Sequence, residues 1–336
     1  MILLAVNYHY LAEESPRAPR AIFPVTTGAF AAQLELLAGA FTFVSRDELL
    51  AALDGRPALP ERSCLITFDD GLREQAELAL PVLERLGAPA IFFVPGLPLE
   101  EGRALYVHKV HALRERLHES EFESLLHEAL SARSIDPPSV DDEQARAHYR
   151  YDAPEAARVK YLLNMALPAD AREPAIDELF ARVFTDERDF CERLYMDAAK
   201  ASALERQGAL GSHGYSHRPL ALLSPEDAAA DLARGADVLE RVAGARPRAV
   251  SYPHGTRSTV DGPVARAAAD AGFRLGLTME RALNRSLEQP LLLARVDAND
   301  APGGKRPRLE LDGGEVRALD GVAPARSAYL DETVTA

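Results

Sequence analysis

The sequence predicts an α/β fold, a parallel sheet or barrel wrapped by helices and interrupted by a mainly helical insertion. Three observations lead there. Short apolar runs rich in β-branched and aromatic residues alternate with helix-period stretches through residues 1–100, and again through 203–300. Gly or Pro closes most of these stretches. Between about 101 and 200 the alternation stops, and the chain turns charged and helical in pattern.

Residues 2–8 read as the first strand. Phe30, Leu34 and Leu37 carry helical spacing, and Phe41-Thr42-Phe43-Val44 reads as a strand. Ser45 precedes Glu48 by three positions, a capping box that opens a helix over 46–53. Residues 64–68 form a strand, and a helix over 73–86 stops at Gly87. Residues 90–94 are a buried strand ended by Pro95-Gly96. After the insertion, 209–213 run from strand into loop. Ser224 caps a helix over 225–242 with Pro225 in its first turn. Residues 249–252 are a strand, a helix over 261–271 closes at Gly272, and 275–278 and 291–296 are the last strands. Gly, Pro and charge over 301–336 predict a loose tail or a small hairpin. The expected organisation is one domain over 1–300, interrupted by the helical insertion at 101–200.

Hydrophobic residues make 47% of the 336 and charged residues 27%, enough apolar surface to build a packed core. Thirty-eight Lys and Arg against 52 Asp and Glu give a net charge of −14. That sign argues against nucleic acid as the main partner and against an anionic membrane surface. No apolar run approaches the roughly 20 residues of a membrane-spanning helix. The opening residues lack a basic segment and a small-residue cleavage site, so a cytoplasmic protein is expected. Cys64 and Cys191 make no disulfide framework, and Cys64 sits in an apolar run as a buried thiol. The insertion carries His108, His111, His118 and His127 on helix-like segments. The first two stand at i, i+3, a chelating spacing, against solvated or half-buried helix faces as the plainer reading. Trp is absent and aromatics are 7%, which tilts toward a small substrate and away from long glycans gripped on aromatic platforms.

Three motifs end candidate core strands. Thr67-Phe68-Asp69-Asp70-Gly71 places two adjacent carboxylates where a strand gives way to a helix, the edge that carries active sites in β/α architectures. The carboxylates repel, so a cation is expected beside them. His213 and His217, in Gly211-Ser212-His213-Gly214-Tyr215-Ser216-His217, share one face if their loop makes a helical turn, which is zinc-ligand spacing. Two histidines and one aspartate leave coordination positions open, as a catalytic metal requires. Ser251-Tyr252-Pro253-His254-Gly255 offers backbone N–H groups, a Pro-fixed turn and an imidazole.

Together and in this order the three motifs resemble the polysaccharide deacetylase superfamily, the NodB-homology group of carbohydrate esterase family 4. The opening Tyr8-His9 is similar to its usual start, and the resemblance covers roughly 1–100 and 203–300. It implies a distorted (β/α) barrel. It implies that Asp69 is the catalytic base, that Asp70, His213 and His217 hold a divalent metal, and that the backbone around Tyr252 donates to the oxyanion. Zn2+ is the expected ion, with Co2+, Ni2+ or Fe2+ as alternatives.

The chain departs from the family pattern in two places. Ser251 stands near the position where the family often carries an Arg, and Arg295 is the candidate to supply that charge to Asp69. No histidine follows His254, so the family's late Leu-x-Leu-His motif is missing. His254 is the candidate acid, and His9 a candidate substrate contact. The expected reaction is metal-dependent N-deacetylation or N-deformylation of a small acylated amino sugar or a sugar-linked intracellular precursor. The alternatives are hydrolysis of a non-sugar cyclic amide and a non-catalytic carbohydrate-binding role.

Overall fold

The computed structural model describes residues 1–16, 21–148, 153–312 and 315–318. The first strand, β1 (Ile2–Tyr8), sets the pattern of the sheet. Leu3 and Ala5 belong to one buried apolar cluster, while Leu4, Val6 and Tyr8 belong to another. Successive side chains of a strand point to opposite faces, so β1 is apolar on both sides, as a strand covered on both faces must be. Strand β5 (Arg62–Phe68) divides the same way: Leu65 joins the first cluster, and Cys64, Ile66 and Phe68 the second.

Two short strands, β2 (Leu11–Ala12) and β3 (Val25–Thr26), pair separately. The main sheet adds β4 (Thr42–Phe43), β6 (Ala90–Val94), β7 (Leu210–Ser212), β8 (Ala249–Ser251), β9 (Leu275–Leu277) and β10 (Val296–Asp297). Its order is β10-β1-β5-β6-β7-β8-β9, with β4 beside β5, and every pairing is parallel. Leu293 bridges Leu277 of β9, and Val296 pairs with Val6 of β1. Residues 293–297 thus run from one edge strand to the other and close a distorted (β/α) barrel. Parallel strands joined by crossovers end at one common edge, and the residues of the site described below lie at these strand ends or in the loops after them, except Arg295, which stands just before β10.

Helices α1 (Thr27–Ala38), α2 (Arg46–Leu53) and α3 (Leu80–Leu86) serve the early crossovers, and α4 (Gly96–Glu101) follows β6. The capping box at the start of α2 is present: Ser45 and Glu48 satisfy each other's backbone N–H. Phe30, Leu34 and Leu37 of α1 pack in the cluster with Leu4 and Val6.

Two expectations need correction. The helix expected over 73–86 is regular only as α3, because a π-type turn occupies Gln75–Ala79. Pro81 has no N–H to give to the carbonyl of residue 77, so the turn before it widens. The strand expected over 291–296 is instead a 3-10 turn at Pro290–Leu292 followed by the two-residue β10. There the Asn284 side chain pairs with both backbone groups of Ala294, at 2.8 and 2.9 Å, where strand partners would stand.

Residues 16–23 and 103–191 form a compact unit distinct from 1–15, 24–102 and 192–336. Its described part is helical: α5 (Tyr106–Arg116), α6 (Glu119–Ser131), α7 (Asp142–His148), α8 (Pro154–Tyr161), α9 (Ala169–Val183) and most of α10 (Glu187–Leu194). It has its own core around Leu113, Phe122, Leu126, Leu163, Leu179 and Phe180. Lys109 is buried between Asp177 at 2.6 Å and Glu187 at 2.8 Å, which neutralise it.

The chain returns to the barrel through α11 (Ala198–Arg206), α12 (Pro225–Ala243) and α13 (Gly262–Asp270). Ser224 and Asp261 cap α12 and α13. A hairpin of β11 (Leu309–Asp312) and β12 (Glu315–Ala318) follows in the tail expected over 301–336, of which residues 313–314 and 319–336 lie outside the described residues.

Candidate active site

The row of β1 side chains that begins with Leu3 and Ala5 ends in Asn7. The row with Leu65 ends in Thr67, and the row with Ala249 ends in Ser251. All three polar residues are fully buried. A polar layer therefore follows an apolar one at the C-terminal edge of the strands, and Asp69, 3% exposed, joins it.

A buried carboxylate needs compensation. Arg295 supplies it from the segment that closes the barrel. Its two terminal nitrogens bind the two oxygens of Asp69 at 2.8 and 2.7 Å. Arg295 is 0% exposed, and it also donates to Asn7 Oδ1 (2.9 Å), Thr67 Oγ1 (3.1 Å), Ser251 Oγ (2.6 Å) and Thr278 O (3.1 Å). Asn7 Nδ2 donates to Asp69 Oδ2 at 3.0 Å. The amide orientation is fixed by chemistry: a guanidinium only donates and an ionised carboxylate only accepts. Burial alone would raise the Asp69 pKa. Arg295, with help from His213 and His9, outweighs it and holds the carboxyl down at about 2.

Asp70 and the two histidines meet on the other side of the same turn. His213 Nε2 lies 3.4 Å and His217 Nε2 3.3 Å from Asp70 Oδ1. Among the described residues this is the one cluster of metal-ligating groups, with its ligand atoms all within 4.8 Å of one another. His108 and His111 do not form such a cluster. A tetrahedral ion with ligands at about 2.0–2.2 Å sets them about 3.3–3.6 Å apart, so one carboxylate and two imidazoles at this spacing fit a zinc-type ion. His213 Nδ1 lies 2.7 Å from the Ser251 carbonyl, which can only accept; Nδ1 therefore carries the proton and Nε2 keeps its lone pair for the cluster. Burial pushes the His213 pKa down, but the Asp69 and Asp70 carboxylates outweigh it and raise it, so a proton competes with a cation for that lone pair.

The two histidines are not brought together by a helical turn, as their spacing implied. Residues 213–218 are an irregular loop in which Gly214 (φ 68°) and His217 (φ 62°) adopt left-handed backbone. Among the described residues four non-glycines have positive φ, and three of them are Asp70, His217 and His254. Each such residue costs on the order of 1–3 kcal/mol, and that strain is concentrated in the site.

The remaining site candidates fall in different places. Tyr252 is fully buried; its N–H donates to Leu277 O at 3.1 Å and its hydroxyl to Leu291 O at 2.8 Å. Its own N–H is therefore spent on the sheet. His254 is exposed, and its ring centroid lies 5.2 Å from that of His217. His9 is half-buried, its carbonyl held by Gln75 Nε2 at 3.0 Å, and the same nitrogen holds the Asp69 carbonyl at 2.6 Å. The sequence reading missed Asn7 and Thr67. The signal was there: both prolong an apolar every-second-residue row with a polar side chain.

A family model described as polysaccharide deacetylase matches residues 56–153 and 192–276, more than half of the chain. The chain belongs to the polysaccharide deacetylase family. Membership makes it a hydrolase of amide bonds. The match breaks off over 154–191, the later part of the helical unit. No curated protein matches the chain. Among solved structures it is similar to the Streptococcus pyogenes deacetylase PplD in complex with acetate, at 16% identity and TM-score 0.55 over 88% of this chain and 92% of that one. IcaB from Ammonifex degensii is similar at 20% identity and TM-score 0.54, over 88% and 91%. A de-N-acetylase from Aggregatibacter actinomycetemcomitans is similar at 14% and 0.53, over 88% and 94%. At these identities the likeness is one of fold. No helix among the described residues of this deacetylase-family chain is long and apolar enough to cross a membrane.

Proposed function

We propose that the chain is a metal-dependent N-deacetylase or N-deformylase of an acylated amino sugar. The observation that carries this reading is the convergence of Asp70, His213 and His217 beside a buried, ionised Asp69. A divalent cation held by those three residues, zinc first by donor type, would lower the pKa of water to about 7 and polarise the acyl carbonyl. Asp69 accepts the proton of the attacking water. Arg295 keeps it ionised at every working pH, at the cost of low basicity, so the proton moves only as the new carbon–oxygen bond forms. The turn after Tyr252 faces the developing oxyanion. His254, at the exposed rim beside His217, delivers a proton to the leaving amine, and His9 contacts the substrate. An intact base beside an intact ligand set speaks for catalysis over a carbohydrate-binding role.

The test is elemental analysis of the purified protein, paired with amine release from N-acetylated and N-formylated amino-sugar compounds. Wild type should hold stoichiometric metal and release amine. His213→Ala should lose both. Asp69→Asn should keep the metal and lose roughly 10²–10⁴-fold in rate. Wild type without metal after reconstitution with zinc, cobalt, nickel or iron would sink the reading.

A further inference from the structure

Helix α12 carries an acidic residue that holds the histidine loop. The Asp231 carboxylate accepts three hydrogen bonds from that loop: the Tyr215 N–H at 2.8 Å on Oδ1, and the Ser216 N–H at 3.0 Å with the Ser216 hydroxyl on Oδ2. The loop's carbonyls are held from another element. The N–H groups of Gly96 and Leu97, at the start of α4, donate to Gly214 O and Tyr215 O, both at 3.0 Å. The His213 N–H donates to Val94 O at 3.0 Å. Asp231 supplies the acceptors for two consecutive N–H groups immediately before His217.

The same face of α12 is shaped for this contact. Gly235 stands at i+4 from Asp231, and a Cβ added there would lie 2.5 Å from the Gly214 carbonyl carbon. No side chain fits between helix and loop at that point, so Asp231 reaches the loop without a gap. The support answers a need, because Gly214 and His217 hold left-handed backbone that the loop would otherwise relax.

We propose that Asp231 is a positioning residue for the metal centre: by fixing the Tyr215–Ser216 backbone it aims His217 Nε2 at the point shared by Asp70 and His213. The proposal rests on the metal reading above. An asparagine in its place has one acceptor oxygen and turns an NH2 group toward an N–H, so at least one loop donor loses its partner. Residues that orient metal ligands typically cost 10–100-fold in affinity when replaced.

The experiment is zinc affinity by competition with a chromophoric chelator, on the full chain, for wild type, Asp231→Asn, Ser216→Ala and Asp237→Asn. Asp231→Asn should weaken zinc roughly 10–100-fold at unchanged stoichiometry. Ser216→Ala, which removes one of the three bonds, should weaken it less. Asp237→Asn removes an exposed partner of Arg246 on the same helix and should leave affinity unchanged. Melting of the metal-free proteins separates the roles. If Asp231→Asn melts earlier yet binds zinc as wild type does, Asp231 is only scaffold and the proposal is overturned. Should Asp231→Asn not fold, Ser216→Ala decides by the same criterion. Wild type that binds no zinc overturns the metal reading and this proposal with it; equal binding by wild type and variant overturns this proposal alone.

Discussion

Arg295 brings a charge into a layer that excludes water, and its value lies in what it neutralises. Its guanidinium grips both oxygens of Asp69, with Asn7, Thr67 and Ser251 absorbing its other donors. Removing one partner of a buried pair leaves the other uncompensated, at a cost of roughly 3–5 kcal/mol, whereas removing both is far milder. Arg295→Met in the metal-free protein should therefore lose on the order of 3–5 kcal/mol in urea unfolding. The double variant Arg295→Met with Asp69→Asn should recover much of it. Additive losses in that cycle would show that the pair is not coupled. At this scale the sequence is legible for residues whose type announces chemistry, as with Asp69, Asp70, His213 and His217. It is silent for Asn7, which looks like the polar end of a strand, and for Asp231, which looks like the polar face of an amphipathic helix. Their roles depend on what faces them across the fold, and spacing along the chain does not encode that.

At the scale of elements, the link between β2 and the widened turn before α3 carries a pH dependence. Glu74 immediately precedes that turn, and its Oε1 accepts the Leu11 N–H at 2.8 Å. Burial, with a smaller push from Glu77, outweighs that bond and raises its pKa from 4.5 to about 7. Between those two values the folded chain keeps the proton and the unfolded chain has lost it. Stability must then fall as pH rises through the window, by up to about 3 kcal/mol. Glu74→Gln keeps an acceptor for Leu11 and removes the titration. Its advantage over wild type in denaturant midpoint should grow between pH 5 and pH 8, and a constant gap would refute the account. The regular elements were legible because β-branched runs, Ser caps and Gly stops agree locally with the fold. Irregular ones were not. The histidine loop has the i, i+4 spacing of a helix but reaches its geometry through left-handed residues. The run Leu291-Leu292-Leu293-Ala294-Arg295-Val296 has the composition of a strand but is broken at Ala294, whose backbone bonds go to the Asn284 side chain, ten residues before it.

For the whole molecule, the β/α rhythm of the sequence breaks after residue 100, and residues 103–191 belong to a unit with its own buried helical core. Helical periodicity shows that such a segment packs; it does not show against what. The separate core has an energetic consequence. Every ligand of the candidate metal centre belongs to the barrel unit, so zinc binding should stabilise that unit by about 2.7 kcal/mol at a free concentration of 100 times Kd. Leu126 is fully buried on α6 in the helical core, and its truncation to Ala should cost that core about 2–5 kcal/mol. Hydrogen exchange read by mass spectrometry separates the two effects. Zinc should slow exchange in peptides covering β5, β7 and the histidine loop while leaving α5, α6 and α9 unchanged. Leu126→Ala should speed exchange in α5, α6 and α9, with zinc stoichiometry and affinity as in wild type. If Leu126→Ala instead sped exchange equally through the barrel strands, the chain would unfold as one cooperative body, and the helical segment would have to be counted as part of the barrel's own stability.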